Sequence, residues 1–205
     1  MNNYILLKNT LKDNFQIWKT DEKNNEYEQY SYFVTLKLGY GYKGNSSSLG
    51  YPAFKQFNGF YHRLCMAILE TKPTYHKDRW PIAFAFLDVD GTKVAPYVPN
   101  WCLSGFHIHT VLMIHPSTKE RCDAFISSGK IEEFAKKWQG VSDIEMEPYD
   151  PKKGTVENLI SYSSKFVSRG HNDCWKIYPE TSPKESIGRY HFPATRLPSN
   201  QNQSG

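Results

Sequence analysis

The sequence predicts an α+β domain built as one antiparallel sheet with helices packed on it. Three observations carry that expectation. Short runs rich in β-branched and aromatic residues end at turn-forming residues. A stretch from Tyr51 to Glu70 repeats apolar residues at three- and four-residue steps. Strand patterns of this kind are mixed with helical ones along the chain rather than gathered in one half.

Taken in order, Tyr32–Leu38 (YFVTLKL) is a strand ended by Gly39, and GYGYKGNSSSLG after it is a loop. Phe54, Phe57, Tyr61, Leu64, Cys65 and Ile68 then form the apolar stripe of an amphipathic helix. Pro81–Val89 (PIAFAFLDV) is a strand closed by Asp90-Gly91, and Gly105–Ile114 (GFHIHTVLMI) is another closed by Pro116. Ser117 to Gln139 has a helical pattern in two pieces, broken near Gly129. Asp143–Tyr149 (DIEMEPY) alternates as a short strand should, and a helix follows from Thr155 to about Arg169. Beyond Pro183 periodicity is lost and the chain ends in polar LPSNQNQSG. One domain is therefore expected over residues 1–183, with 184–205 a flexible tail.

Composition excludes several classes. The chain has 205 residues, 39% of them hydrophobic and 15% aromatic, which is enough apolar mass for a real core. No apolar run reaches the roughly eighteen residues a membrane span needs, and no cleavable leader follows the short apolar patch at Tyr4–Leu7. A soluble protein that stays inside the cell, with no membrane partner, is the expectation. The net charge of +4 resides in residues 151–205, so a phosphate-bearing partner is compatible with that quarter. The four cysteines, Cys65, Cys102, Cys122 and Cys174, are far apart and lack any C-x-x-C pair. They are expected to be reduced thiols, not zinc ligands or a disulfide frame.

The residues that carry chemistry begin with His107-Ile108-His109. Alternate strand residues share a face, so both imidazoles point the same way. Phe106, Ile108, Leu112 and Ile114, interrupted by Thr110, make the opposite, core-directed face. A cation held by the two histidines needs a further ligand, and the preceding strand ends with Asp88 and Asp90 on one face. Either carboxylate would complete a two-histidine, one-carboxylate set with open positions, suited to Mn²⁺ or Mg²⁺ bound to phosphate. The same DVDG segment is equally a plain Asp-Gly turn.

Three tyrosines, Tyr40, Tyr149 and Tyr162, begin a Y-x-x-K, and only Tyr162 sits in a helical pattern. Val156, Leu159, Ile160, Phe166 and Val167 give that helix its apolar stripe, while Asn158, Tyr162, Lys165 and Arg169 fall on another arc. Tyr162 and Lys165 are one turn apart and can reach the same small target. A phenol is a weak nucleophile at its usual pKa near 10, and a neighbouring cation or metal is what activates it.

The elements FVTLKL, FHIHTVLMI and YSSK, in that order, resemble the three motifs of the HUH endonucleases, specifically the single-tyrosine rolling-circle replication initiators (Rep proteins). His107-Ile108-His109 matches the family's His-hydrophobe-His motif, Tyr162 and Lys165 its Y-x-x-K, and Phe33-Val34-Thr35 more loosely its first strand. The resemblance covers roughly residues 30–170. It implies a five-stranded antiparallel sheet with flanking helices and a divalent metal, Mn²⁺ or Mg²⁺, on His107, His109 and Asp88 or Asp90, where the family usually has glutamate. It implies, too, that Tyr162 attacks single-stranded DNA at a replication origin while Lys165 orients the phosphate. Asn158 and Arg169 would contact the DNA. No G-x-x-x-x-G-K-[ST] occurs, so the chain would borrow a host helicase for strand separation or act on DNA already single-stranded, with a host polymerase extending the 3′-OH. The location implied is the cytoplasm, or the host nucleus for a eukaryotic virus. Rival readings are a single-tyrosine transposase of the same superfamily and a non-catalytic single-stranded DNA-binding module stacking bases on Trp80, Tyr97 and Trp101.

Overall fold

A computed structural model of the chain describes residues 30–39, 50–70, 79–89, 105–138, 140–150, 152, 158, 160, 162 and 174–179. The expectations for Tyr40, Asp90, Tyr97, Trp101, Cys102, Lys165, Arg169 and the domain boundary at Pro183 lie outside the described residues. Strands β1 (Ser31–Leu38), β2 (Ile82–Val89), β3 (Phe106–Met113), β4 (Val141–Pro148) and β5 (Trp175–Tyr178) form a single sheet. Its order is β4-β1-β3-β2-β5, and every neighbouring pair is antiparallel. Helices α1 (Gly50–Leu69), α2 (Lys119–Ser127) and α3 (Lys130–Lys137) complete an α+β arrangement. None of the described helices is long and apolar enough to cross a membrane.

Helices α1, α2 and α3 lie on one face because that face is apolar on every central strand. Residues opposite one another in an antiparallel sheet point the same way, so register assigns the faces directly. Val34 pairs with Thr110 and Thr110 with Ala85; Leu36 pairs with Ile108 and Ile108 with Leu87. All six are buried. Phe54, Phe57, Phe60, Leu64 and Ile68 of α1, spaced by three or four residues, are buried as well. Each such side chain contributes about 1.5–3 kcal/mol when fully buried. The ring of Tyr178 on β5 packs 5.1 Å from both Phe57 and Tyr61, and Tyr61 Oη donates to the Pro81 carbonyl at 2.6 Å. On β1, Tyr32 donates to Asp123 of α2 at 2.5 Å, tying sheet to helix.

Local chemistry sets the element ends. The helical stretch after Pro116 breaks where the sequence predicts, because Gly129 takes φ +70° and starts α3 afresh. Cys65, Cys122 and Cys174 are buried free thiols, and burial pushes Cys65 and Cys122 up to about 12. Trp80 is partly buried against the core. The strand β5 was not foreseen from its own residues: WKIY is too short to show alternation. Its pairing with β2, preceded by the Leu87 amide donating to the Cys174 carbonyl at 2.9 Å, defines it.

Candidate metal centre

The second face of the sheet carries Phe33, Thr35 and Lys37 of β1, His107 and His109 of β3, and Phe84, Phe86 and Asp88 of β2. Burial on β3 alternates from Phe106 to Thr110 and then becomes continuous through Val111, Leu112 and Met113. His107 and His109 are half-buried at the more accessible end of the central strand.

Register brings the third candidate ligand. Asp88 is the direct partner of His107, and one donor atom from each of Asp88, His107 and His109 lies within 4.8 Å of the other two. At 4% exposure, Asp88 is a buried carboxylate, and a buried charge needs a partner of opposite sign or strong donors. Between the two aspartates the sequence proposed, the described geometry speaks only for Asp88.

The histidine tautomers follow from their neighbours. His107 Nδ1 lies 3.0 Å from the Gly105 carbonyl, which can only accept, so Nδ1 carries the proton and Nε2 of the neutral ring is left as a lone-pair donor. His109 Nδ1 meets Thr35 Oγ1 at 3.3 Å. The two Nε2 atoms face each other at 2.9 Å. Two neutral imidazole lone pairs repel at that distance unless a proton or a cation sits between them. Phe33 stacks on His109, with ring centroids 5.2 Å apart and 28° between planes. Two converging imidazole nitrogens, a buried carboxylate and outer hydrogen bonds that fix ring orientation suit a divalent cation.

Tyr162 reaches the same place. Its ring lies 6.1 Å from that of His109, and it is 42% exposed. Asn158, Ile160 and Tyr162 are all helical; Asn158 is exposed and Ile160 buried, as the apolar stripe of that segment predicts. Tyr149, another Y-x-x-K tyrosine, follows β4, where its amide donates to the Ser31 carbonyl at 2.8 Å.

Three residues of the site went unassigned in the sequence: Phe33 and Thr35, which hold His109, and Lys37, the direct partner of His107. Their signal was present as the alternate, less apolar face of FVTLKL. Lys37 Nζ lies 3.0 Å from Asp143 Oδ2 and 2.5 Å from Glu145 Oε1 on β4. No protein-family model matches this chain, and neither a curated protein nor a solved structure matches it.

Proposed function

We propose that the protein is a metal-assisted endonuclease and strand transferase that nicks single-stranded DNA at a replication origin through Tyr162. One observation carries the reading: the ring of Tyr162, on a helical segment, lies 6.1 Å from that of His109, whose donor nitrogen clusters with those of His107 on the same strand and the buried Asp88 on its neighbour. The order and spacing of the motifs, which resemble those of Rep proteins, support the same reading.

A bound Mn²⁺ or Mg²⁺ would neutralise charge on the scissile phosphate, and His107, His109 and Asp88 would hold it. The chain's own residues account for the rest. Gly105 and Thr35 keep the imidazoles turned inward. The Tyr162 oxygen attacks phosphorus in line, its proton passing to water. The bond from phosphorus to the 3′-oxygen breaks, and that oxygen leaves as a hydroxyl with a proton taken from water. The products are a 5′-phosphotyrosine and a free 3′-OH, and reversal rejoins the ends. Lys165, three residues on in the Y-x-x-K motif, would orient the phosphate, and Asn158 and Arg169 would contact the DNA. The 3′-OH primes a host polymerase, and strand separation falls to a host helicase.

The test uses single-stranded oligonucleotides with Mn²⁺ and a denaturing gel. Wild type should give a slow-migrating adduct whose nucleotide maps to Tyr162 by mass spectrometry. Tyr162→Phe should bind DNA and metal yet form none, whereas Tyr149→Phe and Tyr40→Phe should remain active. A nucleotide on another residue, or cleavage without an adduct, sinks the mechanism.

A further inference from the structure

Register draws two straight rows across the sheet. One runs Asp143–Lys37–His107–Asp88 and the next Glu145–Thr35–His109–Phe86, each residue directly opposite its neighbours. The candidate metal centre thus has a lysine adjoining it on the β1 side, and beyond that lysine two carboxylates. Resting on the endonuclease reading, we propose that Lys37 is a phosphate-binding residue for single-stranded DNA, latched by Asp143 and Glu145 until a phosphate displaces them.

Four features of the molecule lead there. Directly opposed residues on one sheet face stand roughly 4.5–5.5 Å apart at Cβ, so a lysine opposite His107 can reach any anion bound beside the histidines. The Lys37 ammonium is held by Asp143 Oδ2 at 3.0 Å and Glu145 Oε1 at 2.5 Å. All three side chains are close to half-exposed, and ion pairs of that kind are weak and screened by salt. A phosphodiester held nearby can therefore compete for the ammonium.

The backbone is shaped at this point as well. The register between β1 and β4 shifts between Lys37 and Leu38, with Ser142 as the extra residue. Ser142 Oγ donates to the carbonyls of Lys37 and Leu38, at 3.3 and 3.4 Å. Bulges of this kind add local twist and re-aim a side chain. The acidic strand also bounds the path of the DNA. Asp143, Glu145 and Glu147 repel a phosphate backbone, so the strand must cross on the β3 side of Lys37.

The experiment measures anisotropy of a fluorescent single-stranded oligonucleotide across a salt series in Mn²⁺, in parallel with the adduct assay. Lys37→Met should weaken binding and flatten the log–log salt slope by about 0.7, the single-strand value for one phosphate contact. Lys37→Arg should keep the slope. Asp143→Asn with Glu145→Gln should tighten binding in the wild-type background and lose that gain when Lys37→Met is added. Glu147→Gln, on the same face, removes a like charge and should act equally in both backgrounds. Circular dichroism melts check that each variant is folded. Adduct formation with a salt slope unmoved by Lys37→Met overturns the latch and leaves the endonuclease standing. A slope that falls as expected, without adduct, overturns the endonuclease and leaves the phosphate grip. A gain from the Asp143 and Glu145 changes that survives Lys37→Met also overturns the latch.

Discussion

Replacing Thr35 with valine removes one oxygen from β1 and keeps the branched shape that suits a strand. That oxygen meets His109 Nδ1 at 3.3 Å and is the described partner that fixes which way the ring's second nitrogen points. Loss of such an outer contact typically weakens metal binding 10- to 100-fold. The low end applies here for two reasons. The contact is longer than the 2.7–3.2 Å of good N–H···O bonds, and Phe33 stacked on His109 still restrains the ring. About tenfold, or roughly 1.4 kcal/mol, is the expected loss. Calorimetric titration of wild type, Thr35→Val and Thr35→Ser with Mn²⁺ measures it; serine keeps the hydroxyl and should bind much as wild type does. His109→Ala should lose far more. Melting curves of wild type and Thr35→Val should nearly coincide, since a methyl replaces the hydroxyl with little change of volume. Equal Mn²⁺ affinity in wild type and Thr35→Val would show that Thr35 does not orient the ring. Absence of any affinity in wild type would remove the metal centre itself.

Two stability predictions follow from the sheet's other face. Among the described residues, Thr110 Oγ1 in the core-directed row is buried without a hydrogen-bond partner. Thr110→Val should therefore stabilise the fold by roughly 1 kcal/mol and raise the melting temperature by about 2–4 °C; a lower melting temperature would mean the hydroxyl is satisfied. Burial raises the Asp123 carboxyl, but the hydrogen bonds from Lys119 and Tyr32 outweigh that together and hold it below its ordinary value. A carboxylate depressed in this way stabilises the fold above its unfolded pKa near 3.9 and loses that contribution as pH falls through the lower folded value. The stability difference between wild type and Asp123→Asn should thus be present at pH 7 and fade below about pH 4; a difference that is constant with pH would contradict the charge-based account.

What the sequence made legible was local. Alternation in FHIHTVLMI put His107 and His109 on one face and Ile108 on the other, and period-3.6 patterning found α1 and the break at Gly129. What it could not supply was pairing between distant strands. Asp88 and Asp90 share a face by alternation alone, and only the register of β2 against β3 sets Asp88 opposite His107. Thr35 and Lys37 likewise belong to the site because β1 lies beside β3, a contact between segments some seventy residues apart in the chain. The four residues of β5 hold their place through β2 and through the Tyr178 ring against α1, neither of which a four-residue window contains.

The position of the site follows from how burial changes along one strand. On β3 the face opposite α1, α2 and α3 is half-exposed at His107 and His109 and closed from Val111 onward. Among the described residues the His107 end is the more accessible one, and under the proposed function a phosphodiester and its nucleophile would meet there. Tyr149 is bonded at Ser31, whose partner on β3 is Met113, at the closed end. From Ser31 to Thr35, opposite His109, is four residues, or about 13 Å of extended strand. Tyr162 stands on the other side of that choice, with its ring beside His109. Two residues earlier on the same helical segment, Ile160 is buried while Tyr162 is 42% exposed. A helical segment anchored by one residue and reaching with the next but one sets the Tyr162 ring beside His109 without spending the tyrosine in the core. The same separation explains why substitution at Tyr162 should leave folding intact, and why its effect is expected in chemistry alone.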